Sequence, residues 1–136
     1  MATLLDYVAT YPNHGILYRA SDMVLVTHAD AGFHNETKGR SRAGAHIFLA
    51  KDESYPCLNG AILTVDQIIK FVMASAAEAE LGALFIAAQK ILSLRQTLIT
   101  MGWPHPPMSV QTHNTTSVGV VNKTLLSKKL KSMDLR

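Results

Sequence analysis

Apolar and polar residues along the chain follow two different periods. Met23-Val24-Leu25-Val26-Thr27-His28 is a compact run rich in β-branched residues and predicts a buried strand that stops at Ala29-Asp30-Ala31-Gly32. A polar loop through Asn35, Lys38, Gly39 and Arg40 leads to a second strand from Ala43 to Ala50. Lys51-Asp52-Glu53-Ser54-Tyr55-Pro56 is a polar turn, and a third strand follows from Gly60 to Val65. Short polar connections of this kind predict an antiparallel meander. Between Ser75 and Met101 the period becomes helical, with Ala77, Leu81, Leu84, Phe85, Ala88, Ile91, Leu92 and Leu98 recurring at steps of three and four. Gly102 caps that helix and Pro104 stands just beyond it. Met108 to Thr112 predicts a fourth strand, and Asn114-Thr115-Thr116-Ser117 offers caps for a short helix to Asn122. A final basic segment, read as helical, runs to Arg136.

At the front of the chain, Leu4, Leu5 and Val8 have helical spacing up to a stop at Tyr11-Pro12-Asn13. Gly15 to Arg19 is either a short strand or an extended linker. The order strand, strand, strand, helix, strand, helix predicts an α/β fold. A fourth strand reached through a long helical crossover lies parallel to the first and makes the sheet mixed. Ligand sites in such sheets gather at strand ends beside helix starts.

Composition narrows the class. A chain of 136 residues that is 48 % hydrophobic and 17 % charged suits one domain with a core. The net charge of +3 is unevenly placed, with Lys38, Arg40 and Arg42 in one cluster and Lys123, Lys128, Lys129, Lys131 and Arg136 in another. Such clusters suit a polyanionic partner, although a solvated lysine-rich face explains the same charges. Cys57 is the single cysteine, so no internal disulfide forms and an intracellular setting, cytoplasmic or nuclear, is expected. The longest apolar run, Leu81 to Ala88, is too short for a bilayer, so no membrane partner is expected.

Three segments carry residues with chemistry. Asp30 follows the first strand, His113 and Asn114 follow the fourth, and Glu78 and Glu80 open the long helix. Taken singly, each has a plain explanation as a turn residue, a capped surface residue or a charge at a helix N-terminus. Two helical steps separate the glutamates by about 200°, so they cannot serve one site together, and periodicity does not choose between them. His28 and Asp30 alternate onto one strand face, which leaves room for a transition-metal site of His28, Asp30 and His113.

These same residues carry a resemblance. His28-Ala29-Asp30-Ala31-Gly32-Phe33 followed by Arg40-Ser41-Arg42-Ala43-Gly44-Ala45-His46-Ile47-Phe48-Leu49 resembles the ribonuclease H region of copia-type LTR retrotransposon polyproteins. Ser75-Ala76-Ala77-Glu78-Ala79-Glu80-Leu81 resembles that family's Ser-Ser-Thr-Glu-Ala-Glu-Tyr helix start. Gln111-Thr112-His113-Asn114 resembles its Cys-Asp-Asn strand end, and Lys131-Ser132-Met133-Asp134-Leu135-Arg136 its Lys-His-Ile-Asp-Ile-Arg segment. The resemblance implies that residues 1–20 are the tail of the tether from the reverse transcriptase and that residues 21–136 are a ribonuclease H-like domain. That domain has three antiparallel strands, a parallel fourth and a long crossover helix, and it lacks its last strand and helix.

The implied chemistry is hydrolysis of RNA in an RNA–DNA hybrid through two divalent ions, Mg²⁺ or Mn²⁺, about 3.5–4 Å apart. Asp30 and Glu80 match the family's metal-binding carboxylates, and the resemblance selects Glu80 over Glu78. His113 stands in the catalytic position where the family has an aspartate, and the fourth acidic position lies beyond Arg136. Both departures imply weak or absent cleavage. Arg40, Arg42, Asn114 and Lys128 are the implied nucleic-acid contacts, and the partners are the hybrid, or another nucleic acid, and the reverse transcriptase portion of the same polyprotein. The alternative from another class is a non-catalytic module that binds nucleic acid or protein.

Overall fold

The computed structural model describes residues 2–122 and contains a four-stranded mixed sheet with a long helix packed on one side. The strands are β1 (Val24–Glu36), β2 (Arg40–Ala50), β3 (Ala61–Ile68) and β4 (Ser109–Gln111), and the helices are α1 (Ala2–Thr10), α2 (Ala76–Thr100) and α3 (Thr115–Val121). The sheet order is β3-β2-β1-β4, with β1–β2 and β2–β3 antiparallel and β1–β4 parallel. The expected α/β class, the three antiparallel strands, the parallel fourth and the long preceding helix are all present. The basic segment that includes Lys128 lies outside the described residues.

The first hairpin departs from expectation. β1 does not stop at His28 but continues through Asp30 to Glu36, and the expected polar loop shrinks to a three-residue turn at Thr37–Gly39. Ala29-Asp30-Ala31-Gly32 has little intrinsic strand preference and looks like a turn locally. Pairing with β2 overrides that preference: Asp30 faces Gly44, Ala31 faces Ala43 and Gly32 faces Arg42. The turn itself holds Lys38 (φ 63°) and Gly39 (φ 66°) in the left-handed region, which glycine enters freely and lysine only at a cost.

α2 begins and ends as its sequence directs. Ser75 is the N-cap and its Oγ accepts the Glu78 N–H at 3.2 Å, while Glu78 Oε2 accepts the Ala74 N–H at 2.8 Å. This is a capping box in which the glutamate reaches one residue further back than usual. At the other end Trp103 N–H donates to Leu98 O and Gly102 N–H to Ile99 O, both at 3.0 Å, with Gly102 at φ 91°. These two bonds form a Schellman motif and account for the expected glycine cap.

The buried face of α2 keeps Leu81, Ile91 and Leu98 of the expected stripe and adds small residues to it. Ala79, Ala83, Ala87, Ile91 and Leu98 are buried, whereas Phe85 and Leu92 are exposed at 60 % and 61 %. The helix is apolar on much of its circumference, so the pattern alone favours its largest side chains. Alanines win the sheet side because their small size lets α2 approach closely. Leu25, Ala29, Ile47 and Val65 meet Ala87, Ile91 and Leu98 there, and Ala43, Ile69, Met73, Ala79 and Ala83 form a second cluster at the start of α2.

The residues before β1 form no strand, but they are tied to the sheet. Asn59 accepts the Arg19 N–H at 2.7 Å and donates to Arg19 O at 3.1 Å, and Gly60 N–H donates to Leu17 O at 3.0 Å. A Cβ on Gly60 would stand 2.7 Å from the Tyr18 ring, so glycine permits this close passage. α1 ends at the expected stop and leaves Leu4, Leu5 and Val8 exposed.

Candidate metal centre

The end of β4 creates the site. β4 pairs with β1 only as far as Gln111 opposite His28, so among the described residues β1 beyond that point has no strand neighbour on this side. Asp30 stands two residues further along β1, in the gap. Past Gln111 the chain turns, and Asn114 caps α3 through its Oδ1, which accepts the Ser117 N–H at 3.1 Å. That turn brings His113 over the same gap. Glu80 arrives from the first turns of α2, whose start lies beside α3: Ser117 Oγ donates to Ala77 O at 3.3 Å.

The three side chains converge. His113 Nδ1 lies 3.5 Å from Asp30 Oδ1, and His113 Nε2 lies 3.5 Å from Glu80 Oε1. One ligating atom from each residue can be chosen so that all three lie within 4.8 Å of one another. The group is close enough to hold a metal ion.

Its members differ sharply in environment. The Asp30 and His113 side chains are both 72 % exposed, whereas that of Glu80 is 6 % exposed. Thr112 Oγ1 donates to Glu80 Oε2 at 3.2 Å and so leaves Oε1 turned toward His113. Burial raises the Glu80 pKa above its ordinary value and the nearby Asp30 charge raises it further, while His113 and the Thr112 hydroxyl act in the opposite direction. The Thr112 hydroxyl and the helix thus set the direction in which the buried Glu80 carboxylate faces the exposed imidazole. The donor set of two carboxylate oxygens and one ring nitrogen is chemically suited to a divalent ion.

Glu78 takes no part in this gathering. Its carboxylate turns back to the Ala74 N–H at the helix start, and the residue is fully buried. The two glutamates point to different places, as their angular separation requires: Glu78 caps the helix and Glu80 faces His113. The capping role was available in the sequence as Ser75-x-x-Glu78, a signal distinct from simple dipole compensation.

An open groove of about 540 Å³ extends from the centre across the sheet face turned away from α2 and is lined by His28, Asp30, Gly44, His46, Gln111 and His113, among others. His28 and His46 are cross-strand partners, and His46 Nε2 lies 3.0 Å from Asn59 O. His28 does share the Asp30 side of β1, but it is not one of the three converging residues; Glu80 takes that place. His28 Nε2 is buried with no hydrogen-bond partner, and burial first, then His46, lowers its pKa. Periodicity could not reveal the part played by Thr112 or the His28–His46 pairing, because both depend on which strands become neighbours.

Three of the expected nucleic-acid contacts, Arg40, Arg42 and Asn114, make bonds within the chain. Arg42 Nε meets Glu36 Oε1 at 2.6 Å and its Nη1 meets Asp66 Oδ1 at 2.5 Å, a bridge across three strands that raises the guanidinium pKa. Arg40 Nε donates to Thr37 O at 3.2 Å inside the hairpin turn. Arg40 lies four residues along β2 from Gly44, the partner of Asp30, or roughly 13 Å at the usual strand rise. Asn114 is the α3 cap, and Lys128 falls outside the described residues.

Comparison with known protein families, curated proteins and solved structures returns no match. Among the described residues no helix is long and apolar enough to cross a membrane.

Proposed function

We propose that this chain is a ribonuclease H-like domain of copia-type descent whose rim centre binds a divalent cation and cleaves RNA in RNA–DNA hybrids weakly. The observation that carries this reading is the meeting of Asp30, Glu80 and His113 from three separate segments at the end of β4. The mixed sheet with its long helix after the third strand supports the same reading. A divalent ion in such a centre supplies Lewis-acid stabilisation of phosphate charge and a more acidic bound water. The chain's own contribution is positional: Glu80 is fixed by Thr112 and by its helix, and the groove toward Gln111 is open to a polynucleotide. Two carboxylates and an imidazole carry less negative charge than an all-carboxylate set, which weakens the hold on hard cations and with it the cleavage.

The test is an assay on a labelled RNA–DNA hybrid with added Mg²⁺ or Mn²⁺. Slow cleavage is expected, dependent on the ion and lost in Asp30→Asn. Cleavage that survives Asp30→Asn would assign the activity elsewhere. Failure of the chain to bind hybrid even at low salt would end the nucleic-acid reading.

A further inference from the structure

We propose that the rim centre takes a single first-row transition ion, Zn²⁺ in preference to Mg²⁺, with Asp30, Glu80 and His113 as its protein ligands. This rests on reading the rim as a metal centre and not on whether the chain cleaves anything.

Mg²⁺ demands a near-octahedral shell of oxygens and gives up its waters reluctantly, and an imidazole in place of an oxygen ligand works against it. Zn²⁺ has no such preference: it accepts nitrogen and carboxylate oxygen at about 2.0–2.2 Å and is satisfied by four donors. In a tetrahedral shell with those bond lengths, neighbouring donors stand roughly 3.3–3.6 Å apart. Glu80 Oε1 lies 3.5 Å from His113 Nε2, and Asp30 Oδ1 lies 3.5 Å from the other ring nitrogen, Nδ1. One ion takes one of these nitrogens, so one edge of the shell already has the right length, and the exposed Asp30 closes the other by rotating. Three protein ligands then leave a fourth position toward the open groove, the arrangement found where zinc keeps a place for water or substrate.

The setting of each ligand favours the same ion. Glu80 is 4 % exposed and its second oxygen is held by the Thr112 hydroxyl, so one oxygen is presented in a fixed direction. Burial of that carboxylate disfavours a bare charge and favours a tightly bound ion over a loosely hydrated one. Asp30 and His113 are exposed and can close by rotamer change. No other group of three or more histidine, cysteine, aspartate or glutamate side chains with this spacing occurs among the described residues.

The experiment is calorimetric titration of the full, tag-free chain with zinc, cobalt and magnesium salts, with Co²⁺ also followed by visible absorption. One Zn²⁺ per chain is expected, bound at least about tenfold more tightly than Mg²⁺, with Co²⁺ giving the intense visible bands of a four-coordinate site. His113→Ala should cost about 10–100-fold in Zn²⁺ affinity, and His113→Asp should narrow the preference by improving Mg²⁺ binding. His113 is exposed, so both variants should keep the parent's circular dichroism. Unchanged Zn²⁺ affinity in both would mean adventitious binding at the other histidines and would overturn the proposal. So would equal affinity of the parent for Zn²⁺ and Mg²⁺. Mg²⁺-dependent hybrid cleavage without Zn²⁺ binding would sink this inference and leave the nuclease reading standing. Zn²⁺ binding that needs His113, with neither cleavage nor hybrid binding, would do the reverse.

Discussion

The two faces of the sheet come from the same strands and are built to opposite rules. Toward α2, β1 and β2 present Leu25, Ala29, Ala43 and Ile47, each at most 4 % exposed and packed on the helix. Toward the other side the same strands present Val26, His28 and Asp30 beside Phe48, His46 and Gly44. This second face begins apolar, with Val26, Phe48 and Ala50 buried, and becomes polar as it approaches the rim. A face that must exclude water admits no ionisable group without a partner, whereas a face that opens to a groove can carry imidazoles and carboxylates. The helix side holds the apolar core packed on α2, whereas the other side combines an apolar cluster with the ionisable groups of the rim.

That contrast can be broken most strongly on the helix side. Ile47→Ala removes a fully buried side chain from between β2 and α2 and should cost about 2–5 kcal/mol, read as a shift in denaturant midpoint. A loss below about 1 kcal/mol would mean that this face is less tightly packed than the buried areas imply. Ser75→Ala probes the element that joins the two sides. Losing the cap should cost about 1 kcal/mol, and because the capped turn carries Glu80, divalent-ion affinity should fall with it. An unchanged affinity would show that the site does not depend on the helix start.

A smaller effect separates the faces by pH. The His28 pKa lies below its ordinary value of 6.5, through burial first and His46 second. The unfolded chain then takes up this proton more readily than the folded one. The stabilisation is complete above the ordinary value and is lost as pH falls through it toward the lowered folded value. Thermal melts at about pH 7.5 and about pH 5 should show a steeper acid loss in the parent than in His28→Phe. Equal slopes would remove His28 from the account.

Smallest of all should be the effect of Asp30→Asn on folding. Replacing an exposed side chain at the rim should change stability by no more than about 0.5 kcal/mol, even as it removes one of the three converging groups. A large destabilisation would show that Asp30 belongs to the scaffold rather than to the site.

Much of this was legible from local pattern. The three antiparallel strands, the caps at Ser75 to Glu78 and at Gly102, and the Asn114 start of α3 are signals written in a few consecutive residues, where backbone geometry and hydrogen bonding are decided locally. The composition of Ala29 to Gly32 pointed the wrong way, because ladder partners on β2 outweigh intrinsic preference. The buried side of α2 was legible only in part: Leu81, Ile91 and Leu98 are buried as expected, but Phe85 and Leu92 are exposed. A helix with apolar residues nearly all round does not announce which of them lie against a neighbour.

The site divides along the same line. Which side chains were available to it (an aspartate, two glutamates and a histidine) was settled by the sequence, as was the angular separation that keeps Glu78 and Glu80 from sharing one centre. That β4 ends opposite His28, that Thr112 then holds Glu80, and that His113 swings over Asp30 were decided only in three dimensions. Strand period and helix period act over a few residues, but the gap at the rim exists because two segments about eighty residues apart stop pairing at the same place.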